Sequence, residues 1–263
     1  MILLKILNQL YNDFSSIHQE SKNFSSNYFA NFLKITIDKI IKTIGYTSYF
    51  FFRNKRYDGK LVNVGNYKIL PDYISKSSII YSCGIAENIS FDETISEKYG
   101  CAVFMFDPTE RSNKYMNSID NPKLKFFNIG IWKTNGNIKF YMPKNSGGIN
   151  YSATNLFKTD TYVNLPCKTI KSLMHELNQT KIDILKMDIE GAAFEILDDI
   201  LENNIYPHQI IAEIERPFFI FGASFLELYA YIKRRNKLRS RLKKLGYEVV
   251  DLKSNEFLAI KLN

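Results

Sequence analysis

Histidine, cysteine and tryptophan are scarce in this chain, with 3, 3 and 1 copies among 263 residues. The cysteines, Cys83, Cys101 and Cys167, are scattered and lack CxxC spacing. An odd, dispersed set excludes a disulfide framework and a thiolate zinc site, and reads as reduced thiols in a cytoplasmic protein. No apolar run is long enough to span a bilayer. The apolar N-terminus is broken early by Lys5, Asn8 and Gln9, and no small-residue cleavage site follows, so no signal peptide is read. Glycine is thin where a nucleotide loop would need it. The stretch from Tyr81 to Asn88 holds only Gly84, and the GxGxxG fingerprint of dinucleotide folds fails there.

What the chain does have is apolar bulk and positive charge: 45% hydrophobic residues, ample for a core, and a net charge of +8. That charge fits an anionic partner or a basic solvated surface. Much of it sits on Lys233-Arg234-Arg235, Arg239, Arg241, Lys243 and Lys244, with Leu238, Leu242 and Leu245 beneath. The run reads as a solvated face, or as an anchor for the phosphates of a nucleotide-sugar or of lipid headgroups at a membrane surface. It carries no RNA-binding motif, so no specific nucleic acid is expected.

Leu3, Leu7, Leu10, Phe14 and Ile17 form one apolar helical seam, docked on its own domain or serving a homodimer contact. A second helix is predicted over 28–44, then an aromatic run from Tyr49 to Phe52 and a turn at Asp58-Gly59. Short strands follow at 61–64 and 67–70. We expect an N-terminal helical extension with short strands over 1–77 and one catalytic domain over 78–263. In the latter, strands are predicted at 78–82, 101–106, 125–129, 137–142, 182–188 and 209–214, and helices to 99, near 112–118, and at 169–177, 192–203 and 225–245. A closing pair of strands lies at 247–252 and 257–262. Alternating strands and helices argue for an α/β fold, a parallel sheet with helices on both faces.

Ligands of such sheets bind at the strand tips. Lys186-Met187-Asp188-Ile189-Glu190-Gly191 brings carboxylates to one tip. Asp107 ends another, about 20 positions beyond Gly84, where nucleotide folds place a ribose-binding acid. Ser90 and Glu93 fit a capping box, and with Asp92 they would occupy the helix amides that a phosphate needs. The site therefore suits a cationic, phosphate-free cofactor such as S-adenosylmethionine better than NAD.

Four segments in order, Ile89-Ser90-Phe91-Asp92-Glu93, Phe106-Asp107-Pro108-Thr109, Asn128-Ile129-Gly130-Ile131-Trp132 and Lys186 to Gly191, resemble FkbM-type class I methyltransferases over about Ile79 to Arg216. The resemblance implies a Rossmann-like, seven-stranded, mostly parallel sheet with an antiparallel final pair. It implies S-adenosylmethionine as methyl donor and O-methylation, often of sugars in surface glycans. By position, Ser82, Gly84 and Glu87 would line the methionine end of the donor, Asp107 its ribose, and Asn128 with Ile129 its adenine. The loop Ser82-Cys83-Gly84-Ile85-Ala86 departs from the usual acid with two glycines, and Glu213-Ile214-Glu215 departs from a Glu and His pair.

Transfer to a hydroxyl needs alignment and a group that takes the proton. His208 precedes a strand at the end away from the tips, His175 lies on a helix face, and His18 lies in the N-terminal helix. Carboxylates are left: Asp188 and Glu213 as catalytic residues. Asp188, Glu213 and Glu215 could also hold a divalent cation such as magnesium, or could be ion-paired and helix-capping residues. Tyr151, Ser152, Thr154 and Asn155, after Gly147-Gly148, could close over a sugar or nucleotide-sugar acceptor, or form an ordinary loop.

Overall fold

The computed structural model describes residues 60–143, 151–215, 225–252 and 255–262. The seam helix with its dimer contact, the 28–44 helix, His18, the 49–52 aromatics, Asp58-Gly59, Gly147-Gly148 and Arg216 lie outside the described residues. The chain divides into two compact units, 1–53 with 217–234 and 54–216 with 235–263. The cleft and its chemistry belong to the second.

That unit opens with a hairpin, β1 (Val62–Val64) and β2 (Tyr67–Ile69), antiparallel with Val64 opposite Tyr67. The strands β3 (Ile79–Cys83), β4 (Ala102–Phe106), β5 (Leu124–Phe127), β9 (Ile184–Met187), β10 (Gln209–Glu213), β11 (Tyr247–Asp251) and β12 (Glu256–Lys261) build the main sheet. Their order is β11-β12-β10-β9-β3-β4-β5. The five strands from β10 to β5 run parallel, and β12 runs antiparallel to β10 and β11. The antiparallel closing pair thus stands where the sequence places it. β4 is apolar throughout and buried from its second residue on, as a strand covered on both faces must be.

Helices α1 (Ser90–Tyr99), α2 (Glu110–Met116), α3 (Ile170–Glu176), α4 (Ala193–Glu202) and α5 (Phe225–Lys244) complete the set among the described residues. α1 buries Phe91 and Ile95 in one cluster with Ile80, Val103, Met105 and Ile184 of the sheet. Each such side chain contributes roughly 1.5–3 kcal/mol on burial. The hairpin joins the same cluster through Val64, Tyr67 and Ile69. Its turn residue Gly65 has φ +53° and packs so close to α1 that a Cβ would meet the Phe91 nitrogen at 2.6 Å. The hairpin, assigned by sequence to the N-terminal extension, is therefore packed against α1 and the main sheet.

A second sheet was not foreseen. β6 (Gly130–Ile131), β8 (Tyr162–Lys168) and β7 (Gly136–Tyr141) form a three-stranded layer in the order β6-β8-β7. Asn164 and Pro166 hide β8 in the sequence. Pro166 is tolerated because β6 pairs with β8 only at Cys167 and Lys168.

The capping box is corrected. The N-cap of α1 is Ile89, without a side-chain hydrogen bond, and Ser90 is already inside the helix. Asp92 turns into the core, fully buried, and neither carboxylate oxygen has a hydrogen-bond partner. Burial pushes its carboxyl above the usual range, opposed by the Lys186 ammonium.

Candidate functional site at the strand tips

The sheet reverses its order of connection between β3 and β9, and a cleft of about 260 Å³ opens at the C-terminal tips of β3, β4 and β9. That is where open α/β sheets hold ligands. Gly84, Asp107, Asp188 and Glu190 line it from the strand ends, and Phe140 and Tyr151 from the second sheet and the loop after it.

Gly84 is demanded by its setting. Its φ is +78°, and a Cβ there would lie 1.7 Å from the Asp188 carbonyl oxygen. The tips of β3 and β9 touch backbone to backbone, as the amide of Asp188 bonding to the carbonyl of Cys83 also shows, at 2.9 Å. The amides beyond Gly84 are turned toward β4. Asp107 Oδ2 accepts from Ile85 N at 3.0 Å and from Ala86 N at 3.2 Å. Its Oδ1 accepts from the Thr109 amide and hydroxyl. The Ile85 and Ala86 amides are engaged by Asp107 and are not free to cradle a phosphate.

On the far wall, Asp188 Oδ2 accepts from the Tyr67 hydroxyl at 3.1 Å. Glu190 adopts φ +45°, uncommon for a residue with a side chain, and Gly191 follows at +83°. The turn is held from two sides: Ser152 Oγ donates to the Glu190 carbonyl at 2.6 Å, and the Glu215 carboxylate accepts from the Gly191 amide. Burial, then the nearby carboxylates Asp188 and Glu213, push the Glu190 carboxyl up to about 7. Burial foremost, with Glu190 and Asp188 adding to it, pushes Glu215 up to about 8, against the lowering effect of the amides it accepts from.

Of the residues singled out in the sequence, Gly84, Asp107 and Asp188 meet in the cleft. Tyr151 lines it too, whereas Ser82, Glu87, Asn128, Ile129, Glu213 and Glu215 stand outside its lining. Ser82 is fully buried, with its hydroxyl unpartnered. Glu87 pairs with Arg111, which does line the cleft. Asn128 Nδ2 donates to the carbonyls of Asp107 at 3.0 Å and Thr109 at 3.1 Å, bracing the β4 tip, and the Ile129 amide bonds to Phe127. Glu213 accepts from Asn255 Nδ2 at 3.2 Å. Asp188, Glu213 and Glu215 thus answer to three different donors, and no metal-holding group of three His, Cys, Asp or Glu occurs among the described residues. His208 lies against Tyr73, with ring centroids 4.3 Å apart, away from the cleft. The cysteines are all buried thiols; burial pushes Cys83 and Cys167 up to about 12. Among the described residues no helix is long and apolar enough to cross a membrane.

Cleft residues given no role in the sequence include Glu190, Tyr67 and Lys186. Lys186 had a signal, a charge inside the apolar strand Ile184–Met187, since lysine is almost never buried without a partner. It is 3% exposed, and its Nζ donates to the Gly84 carbonyl at 2.9 Å.

No curated protein matches the chain. Among solved structures it is similar to a Methanococcus jannaschii fibrillarin pre-rRNA processing protein, 11% identical, covering 79% of this chain and 84% of that one, with a TM-score of 0.39. A Podospora anserina methyltransferase, PaMTH1, bound to SAH, is 9% identical, covering 71% and 72%, with a TM-score of 0.36. Human N-acetylserotonin methyltransferase in complex with SAM is 12% identical, covering 70% and 48%, with a TM-score of 0.32. The family model for the methyltransferase FkbM domain matches residues 45–249, and the chain belongs to that family.

Proposed function

We propose that the chain is an S-adenosylmethionine-dependent O-methyltransferase acting on a sugar hydroxyl, free or in a nucleotide-linked sugar. The observation that carries this reading is the pairing of Asp188 and Glu190 on one wall of the cleft, with the Glu190 carboxyl pushed up to about 7. A carboxylate that titrates near neutrality is suited to take a proton from a hydroxyl at working pH.

The residues present fit the donor. Its ammonium and sulfonium are cations, and Asp107, Asp188 and Glu190 line the cleft, together with Lys186 and Arg111. In the loop after β3, Asp107 occupies the Ile85 and Ala86 amides. Gly84 and Asp107 would hold the donor at the tips of β3 and β4. When bound, the donor supplies a methyl group activated by the sulfonium. Asp188 then orients the acceptor hydroxyl, and Glu190 accepts the proton that the hydroxyl loses. Phe140 and Tyr151 line the cleft and would shield the bound acceptor from water. Glu213, first read as catalytic, would act through its charge on Glu190.

The test is incubation with S-adenosylmethionine and a panel of sugars and nucleotide-linked sugars, followed by mass spectrometry. One added methyl group on a panel member supports the reading. Methylation of RNA in parallel, with none of the panel, would replace it with a nucleic-acid methyltransferase.

A further inference from the structure

We propose that Tyr67, on the β1–β2 hairpin, is a positioning residue that fixes the Asp188 carboxylate in the cleft and through it the acceptor hydroxyl. The inference rests on the reading of Asp188 just given.

Asp188 stands near two other carboxyl groups, Glu190 and Glu215, which both feel its charge. Among the described residues its side chain has one hydrogen-bond donor, the Tyr67 hydroxyl at 3.1 Å. The contact spans from the hairpin to the tip of β9, so it is made by the fold and not by a local turn.

The hydroxyl can serve this purpose because the ring that bears it is fixed. Tyr67 is 8% exposed and meets Phe91 edge to face, with centroids 5.7 Å apart and an interplanar angle of 86°. The Lys186 ammonium lies 5.3 Å from its centroid, within range of a cation–π contact. The hairpin itself is clamped to β10: Leu70 N donates to Gln209 Oε1, and Gln209 Nε2 donates back to Leu70 O, both at 2.8 Å. Burial, then the carboxylates Asp188, Glu213 and Glu256, drive the Tyr67 hydroxyl far above its ordinary value. It remains a donor at any working pH. A hydrogen bond in this desolvated setting is stronger than one in water.

Tyr67 also lines the cleft, so its hydroxyl borders the space where the acceptor must sit. The short strands before the main sheet are then part of the active site. A misplaced carboxylate costs rate by misaligning the acceptor, without loosening the donor.

The experiment compares the native chain with Tyr67→Phe, which removes one oxygen and keeps the ring. Crystals of both are soaked with S-adenosylhomocysteine, affinity for it is measured by calorimetry, and kinetics are run on the panel sugar that the native chain methylates. The Asp188 carboxylate should leave its native position in the variant. Affinity should stay within about twofold and kcat should fall roughly tenfold, with KM for S-adenosylmethionine little changed. An unmoved carboxylate, an unchanged kcat, or loss of folding would overturn the inference, the last by making the hydroxyl a stability element. If the native chain binds S-adenosylhomocysteine but methylates no panel sugar, the functional reading fails by itself, and the position of the carboxylate alone decides the role of Tyr67.

Discussion

The Ile85 amide lies 3.0 Å from Oδ2 of Asp107, so the loop after β3 is tied to the tip of β4 by a carboxylate that is only 6% exposed. Asp107 shapes the cleft as well as facing it. Asp107→Ala should therefore do two things. It should weaken S-adenosylhomocysteine binding by tenfold or more in calorimetry. It should also lower stability by about 2–3 kcal/mol, because the amides of Ile85, Ala86 and Thr109 lose their acceptor. Unchanged affinity would take Asp107 out of the donor site.

Gly84→Ala tests the contact between the tips of β3 and β9. The added methyl group meets the Asp188 carbonyl oxygen, and φ +78° is strained for alanine. Relief requires Asp188 to move. The variant should be destabilised by about 1–3 kcal/mol or more in thermal melts and should lose turnover. Native stability with native turnover would show that the tips are not in contact.

Glu190 sets a pH dependence of known sign. Its carboxyl is pushed up to about 7, so between its ordinary value of 4.5 and about 7 the folded chain holds a proton that the unfolded chain releases. The stabilisation is full below that window and is lost as pH rises through it. Activity should run the other way, rising with pH on a limb centred near 7. Glu190→Gln should lose that limb, slow kcat by about a hundredfold, and be more stable than the native chain at pH about 8, by roughly 2 kcal/mol. A retained limb in the variant would assign the proton transfer to another group.

Asp251 on β11 joins α5 to the sheet. Its side chain is 2% exposed and accepts from Arg235 and Arg239, whose side chains are 14% and 11% exposed. Removing one partner of a buried charge cluster is costly. Asp251→Asn should lower stability by about 3–5 kcal/mol in denaturant titrations. A loss below about 1 kcal/mol would show that the three groups are solvated.

Much of the second unit was legible because its signals are local. The apolar strands of the main sheet follow from periodicity, and the antiparallel sense of the closing strands from the family resemblance. The site was legible only where the backbone dictates it: Gly84, Asp107 and Asp188 occupy strand tips that any such sheet presents to a ligand. What stayed hidden depends on contacts between distant segments. The Tyr67 to Asp188 bond joins residues 121 positions apart, and no pattern within a strand announces it. Asp92, read from the sequence as a charge at the first-turn amides of α1, is instead buried in the core together with Phe91. Two arginines of the basic run on α5, Arg235 and Arg239, are likewise taken up by Asp251 of β11, a pairing the local pattern does not announce. Glu190 was in view from the start, yet its role depends on a left-handed backbone turn that no residue type at that position requires.

Whether the strand-tip cleft holds a sulfonium donor is decided most directly by a crystal structure of the chain soaked with S-adenosylhomocysteine at saturating concentration. The expected result is density between Gly84, Asp107 and Asp188, with the ribose against Asp107 and the sulfur toward Asp188 and Glu190. A cleft left empty, or density bound elsewhere on the chain, would contradict it.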